Sequence, residues 1–163
     1  MDGVRPERRP DVAPASDVLE VRSGTVDKRA FQHWAAAVGD LNPLYFDEDY
    51  ARSLGHLDVV MPPMFISQVT AEVRFQHQLR PDGIPLANSF GLSLPERRMA
   101  AEEETEFLMT LYPGDHVSST RRLAGVARKN GRSGEFTLIT IEILYANAEH
   151  QPVARTVASI IAR

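Results

Sequence analysis

A carboxylate, a side-chain amide and a phenol stand within six residues at Asp40, Asn42 and Tyr45, in the stretch Gly39-Asp40-Leu41-Asn42-Pro43-Leu44-Tyr45-Phe46-Asp47. Asp40 can take a proton from a bound water and so make it a nucleophile. Asn42 can orient that water or a substrate. Tyr45 can donate a proton to a carbon beside a carbonyl. The carbonyl oxygen would gain negative charge and call for backbone N–H donors, which a helix start at Pro62-Pro63 would supply. The same residues are also ordinary turn formers, so from spacing alone a purely structural link is the default reading.

The surrounding elements decide whether these groups converge. Val18 to Val26 reads as a first strand. Asp27 then caps a helix whose Phe31, Trp34, Ala35 and Val38 keep the i, i+3, i+4, i+7 spacing of one apolar face, and Gly39 ends it. Asn42 precedes a proline and leaves the helical region, so Asp40 to Pro43 is a tight link. A short helix is expected from Asp47 to before Gly55. Pro62-Pro63 is expected to open the longest helix, running to about Gln78, with Met61, Phe65, Val69 and Val73 at four-residue steps and Ile66 widening the stripe. The proline-bearing stretch Arg80 to Arg98 reads as an irregular crossing.

Beyond it the period changes to that of strands. Glu102 to Leu111, His116 to Arg128, Phe136 to Tyr145 and Val153 to Ile161 are strand candidates. They are separated by turns at Tyr112-Pro113-Gly114-Asp115, Asn130 to Gly134 and Asn147 to Gln151. Ile139, Ile141, Ile143 and Tyr145 share one face. Helices first and antiparallel strands second is α+β order, with a curved sheet wrapped around a long central helix. Such a sheet leaves an edge for a second copy or a partner to cover.

Composition narrows the classes. The chain has 163 residues with 43% hydrophobic and 25% charged, the mixture of a globular domain. Residues 1–17, rich in Arg and Pro, read as a flexible tail, and 18–163 as one domain. A formal net charge of -4 argues against nucleic acid as a partner. With no cysteine, disulfides and thiol catalysis drop out. No apolar run is long enough to cross a bilayer and the N-terminus lacks a secretory pattern, so a cytoplasmic protein without membrane contact is expected. None of the five histidines has metal-ligand spacing, so no metal and no cofactor are expected.

Several of these segments occur together in one known family. Gly39-Asp40-x-Asn42-Pro43 with an aromatic after it, then Asp47, Ala51, Gly55 and the run Asp58-Val59-Val60-Met61-Pro62-Pro63-Met64-Phe65, resembles the N-terminal-type (FAS1-like) domain of MaoC-like dehydratases. Pro113-Gly114-Asp115, Lys129-x-Gly131-Arg132-Ser133-Gly134 and Tyr145-x-Asn147 extend the resemblance over about residues 18 to 163. It implies a hot-dog fold working as a homodimer or as paired subunits. It also implies (R)-specific hydration of enoyl thioesters, or dehydration of 3-hydroxyacyl thioesters, carried on CoA or acyl carrier protein.

In the catalytic members the motif reads Gly-Asp-x-Asn-Pro-x-His, with the Asp and the His doing the acid–base work. Asp40 and Asn42 match, but Tyr45 stands where the His belongs. Histidine titrates near neutrality and phenol near 10, so Tyr45 can donate a proton but is a poor shuttle. The resemblance then favours the supporting, substrate-binding subunit of a heteromeric enzyme, whose second MaoC-like subunit brings Asp and His. A self-sufficient homodimeric hydratase, a non-catalytic acyl-thioester-binding module and a thioesterase remain open. His56 could replace the missing acid, although a solvated loop histidine is its plainer reading. His56, Met61, Pro62, Pro63, Met64 and Phe65 are the candidate substrate-binding residues, with core packing the default for the apolar ones. Arg128, Lys129 and Arg132 could meet phosphates or an acidic carrier, or simply be solvated at a hairpin.

Overall fold

The computed structural model describes residues 18–83, 85, 94–95, 97–132 and 134–163. The tail expected over residues 1–17, most of the crossing after Gly83, and Ser133 of the hairpin lie outside them.

Five strands form one antiparallel sheet: β1 (Val18–Thr25), β2 (Arg98–Phe107), β3 (His116–Gly131), β4 (Gly134–Ala146) and β5 (Pro152–Ala162), in the order β1-β3-β4-β5-β2. This is the hot-dog arrangement. Alternation sets its inner face. Val117 on β3, Ile139, Ile141 and Tyr145 on β4, and Ala154 on β5 are all buried. The strand expected from Glu102 starts earlier, at Arg98, and ends at Phe107.

The helix lying against the sheet is α1 (Lys28–Val38). Asp27 caps it by accepting from the Ala30 N–H, as expected. Its Phe31 and Ala35 are fully buried in a core shared with Val117, Tyr145 and Val153. Phe65 meets Phe31 edge-on at 6.3 Å and Trp34 at 5.8 Å. The short helix α2 (Glu48–Ser53) is capped by Asp47, which accepts from the Tyr50 N–H. Lys28 at the start of α1 pairs with Glu48 on α2 and, at 3.5 Å, with Asp58. Those pairs tie together the three pieces of chain around the Asp40 link.

The long helix expected from Pro62 to Gln78 does not form. A 3-10 turn (Pro63–Phe65) runs into a single helical turn, α3 (Ile66–Val69), and the chain then leaves the helical path. Gly24 lies against the end of that turn. The Val69 backbone carbonyl lies where a Cβ on Gly24 would sit, 1.9 Å from that position, so α3 crosses β1 backbone against backbone. Thr70 is still buried, but Val73 is exposed. The four-step apolar stripe therefore breaks after Val69, and the sheet wraps α1 rather than a helix from Pro62.

Gly24→Ala should accordingly push α3 off β1, at a cost of about 1–3 kcal/mol for overpacking. Urea unfolding would read this as a lower midpoint with an unchanged slope.

Candidate active site

Asp40 is placed by the end of α1. Gly39 takes the left-handed conformation, with φ 79, and its N–H returns to the Ala36 carbonyl at 3.2 Å. The Asp40 N–H then donates to the Ala35 carbonyl at 2.9 Å, which fixes the backbone and leaves the carboxylate exposed. Asn42 caps the next turn (Pro43–Tyr45), its side-chain oxygen accepting from the Leu44 N–H at 3.1 Å. That turn swings Tyr45 into the core, where it is 7% exposed. From α1, Gln32 donates to the Tyr45 backbone carbonyl at 2.9 Å.

Asp40, Asn42 and Tyr45 therefore converge. The Tyr45 phenol is pushed above its ordinary value, first by burial, then by the Asp40 carboxylate through its charge and a hydrogen bond. The Asn42 side chain acts the other way. A phenol so placed stays protonated at neutral pH. It can donate to Asp40 while accepting from the Asn42 amide, but it cannot cycle as an acid–base group. Replacing Asp40 by Asn removes the charge that disfavours phenolate. The Tyr45 titration should then fall toward the ordinary value of about 10, followed by phenolate absorbance with Tyr45→Phe as the blank.

An apolar groove of about 230 Å³ has Met61, Pro63, Ile66, Leu108, Leu111 and Val153 in its walls. It is joined to the Asp40 link by the backbone. The Val60 N–H donates to the Leu44 carbonyl at 2.8 Å, and the Met61 N–H to the Leu111 carbonyl at 3.0 Å. Val60, next to Tyr45's own turn, is itself part of the groove wall.

Of the six expected binding residues, Met61 and Pro63 line this groove. Pro62 is fully buried, Phe65 belongs to the core, and Met64 is exposed. The His56 Nδ1 lies 3.2 Å from the Tyr112 hydroxyl. The donor site expected at Pro62-Pro63 is also reduced. Two prolines lack N–H groups, and the Phe65 and Ile66 N–H groups are taken by the Pro62 and Pro63 carbonyls. Met64 carries the remaining N–H of that turn. Sequence reasoning missed the Phe107 to Thr110 wall, where apolar residues continue past the last alternating position of β2; this was the available signal.

A family model described as "FAS1-like, dehydratase domain region" matches residues 16–156. The chain belongs to the FAS1-like, MaoC-type dehydratase family. A relative in Thermomonospora curvata, a "probable enoyl-CoA hydratase alpha subunit", is 29% identical over 94% of this chain and 50% of that protein. The chain thus spans about half the length of that relative. Among solved structures, the ChsH1-ChsH2 complex from Mycobacterium tuberculosis contains a chain that is 28% identical. It superposes with a TM-score of 0.71 over 87% of this chain and 82% of that one. The HadBC (3R-hydroxyacyl-ACP dehydratase) complex from the same organism shares the fold, with a TM-score of 0.65 and 16% identity over 90% and 98% of the two chains. Among the described residues of this FAS1-like chain, no helix is long and apolar enough to cross a membrane.

Proposed function

We propose that the chain is the substrate-holding subunit of an (R)-specific enoyl-thioester hydratase, which in reverse dehydrates 3-hydroxyacyl thioesters. In the hydration direction a base takes a proton from water, the hydroxyl adds to C3, and an acid delivers a proton to C2. One group must take up and release a proton near neutral pH in each cycle. The observation that carries the reading is the state of Tyr45. It stands at the family's histidine position, and a phenol, which burial and Asp40 push still further above its ordinary value, does not exchange its proton near neutral pH. In this reading a second MaoC-like subunit supplies the working Asp and His, and the groove at Met61, Pro63 and Leu111 takes the acyl chain on CoA or acyl carrier protein.

The surface around the site supports a mate. Val38 and Leu41, on either side of Asp40, are 57% and 69% exposed, and Met64, Leu108 and Met109 expose more apolar area by the groove. β2 is a sheet edge ten residues long.

The test is crotonyl-CoA hydration by the purified chain, alone and mixed with a MaoC-like subunit carrying an intact Asp-x-Asn-Pro-x-His. The mixture should turn over and the single chain should not. A thiol-release assay on the same samples should stay at background. Full-rate hydration by the chain alone would overturn the division of labour. Thiol release without hydration would replace the reading with a thioesterase.

A further inference from the structure

Strand β2 ends the sheet. Among the described residues it pairs only with β5, so its other edge offers unmade backbone hydrogen bonds along ten residues. Its two faces are bare as well: only Arg98 and Thr105 of those ten residues are even half-buried. Glu102, Glu103, Glu104 and Glu106 fill the middle of the strand. Met99 near one end, and Phe107, Leu108 and Met109 at the other, expose apolar surface. We infer that this edge is closed by a strand of a second protein subunit that presents lysine or arginine, and that the glutamates bar a second copy of the chain from the same place.

Alternation and register carry the argument. Glu102, Glu104 and Glu106 are two apart and share one face, opposite Ser159, Val157 and Arg155 of β5. Arg155 is taken by Glu142 at 2.8 Å, and none of the three glutamates is in an ion pair among the described residues. Arg98, the only basic residue of β2, lies beyond the register shift between Ala100 and Glu102. A second copy would add its own β2 antiparallel, about a two-fold axis normal to the sheet, which keeps each face on its own side. Centred on Glu104, that pairing sets Glu104 against its own copy and Glu102 against Glu106. Centred on Glu103 it sets Glu102 against Glu104, and centred on Thr105 it sets Glu104 against Glu106. Like charges directly opposite destabilise a strand pair, and opposite charges stabilise it. Lysine or arginine on an incoming strand would meet these positions favourably in each of those registers.

Charge on an edge can also do no more than prevent aggregation. Two features of β2 argue for a partner. The strand is long and keeps exposed apolar residues at both ends, where a merely guarded edge would be short. Its C-terminal end also continues into the groove wall at Phe107 to Thr110, so a strand docked along β2 reaches that groove. That the basic strand belongs to the second MaoC-like subunit rests on the function proposed above; the charge preference of the edge does not.

Sedimentation velocity on the full chain, with no thioester present, tests the edge. The wild type and a variant carrying Glu102→Lys, Glu104→Lys and Glu106→Lys should each stay monomeric at micromolar concentration, because each repels itself. Mixed in equal amounts, they should form a dimer containing one of each. Salt at about 1 M, where the screening length is about 3 Å, should weaken that dimer severalfold. Hydrogen exchange should show protection gained over β2 and none over β1. Glutamine at the same three positions removes the repulsion without adding charge. That variant should self-associate about tenfold more tightly than the wild type, which keeps the edge testable if the lysine variant fails to fold. A wild type that dimerises through β2, a mixture of folded proteins that stays monomeric, or protection that appears elsewhere would overturn the inference. A mixed dimer alongside failed crotonyl-CoA hydration would count against the functional reading and leave the charge preference standing.

Discussion

Tyr45→His should turn a chain that is nearly inert by itself into a hydratase. Crotonyl-CoA turnover is expected to rise by about 10²–10⁴, the usual worth of one positioned general acid–base group. The new imidazole would stand where Asp40 and Asn42 already face the Tyr45 phenol. Burial would lower its pKa and the Asp40 carboxylate would raise it, two opposed effects around an ordinary value near 6.5. The rate should therefore titrate near neutrality, where the phenol could not. Adding Asp40→Asn to Tyr45→His should remove most of the gain. A histidine variant that folds, binds thioester and still fails to hydrate it would show that the divergence of this site lies beyond one residue.

The largest stability effect is expected at Phe31. Its ring is fully buried and packs edge-on against Phe65 at the centre of the core that joins α1 to the sheet. Phe31→Ala should cost about 3–5 kcal/mol, because the ring's transfer energy is lost and a cavity remains. For a chain of this size that corresponds to a fall in Tm of roughly 6–20 °C. Domains of this kind have only about 5–15 kcal/mol to lose. The same helix ends in the Gly39–Asp40 backbone that positions the site. Hydrogen exchange at the Gly39 and Asp40 amides should rise along with the loss of stability. Phe31→Leu should recover much of both, since it refills most of the volume.

How much was legible beforehand differs from element to element. Helix α1 was, from its Asp27 cap to its terminal Gly39, because capping and a 3.6-residue period are written within a dozen neighbouring residues. The shared face of Ile139, Ile141 and Tyr145 was legible for the same reason, with the period of a strand. The link that gathers Asp40, Asn42 and Tyr45 was legible because Gly39 and Pro43 each force one local turn. The helix expected from Pro62 was misread. Its apolar spacing was real, but Phe65 and Ile66 serve the core while Val73 faces solvent. Where the helical turn stops, Gly24, more than forty positions upstream, lets the Val69 carbonyl come up against β1.

The amino-acid order by itself thus determined what depends on near neighbours: caps, turns, alternation, and the three polar groups on one link. Tertiary structure alone decided what depends on register between distant strands. Arg22 comes beside Ser119, and Glu20 beside Arg121, through a pairing of segments about a hundred residues apart. No periodicity within either segment carries that alignment. Register is settled by which faces the assembled core can bury, so the groove wall at Leu108 exists only once the sheet has closed over α1.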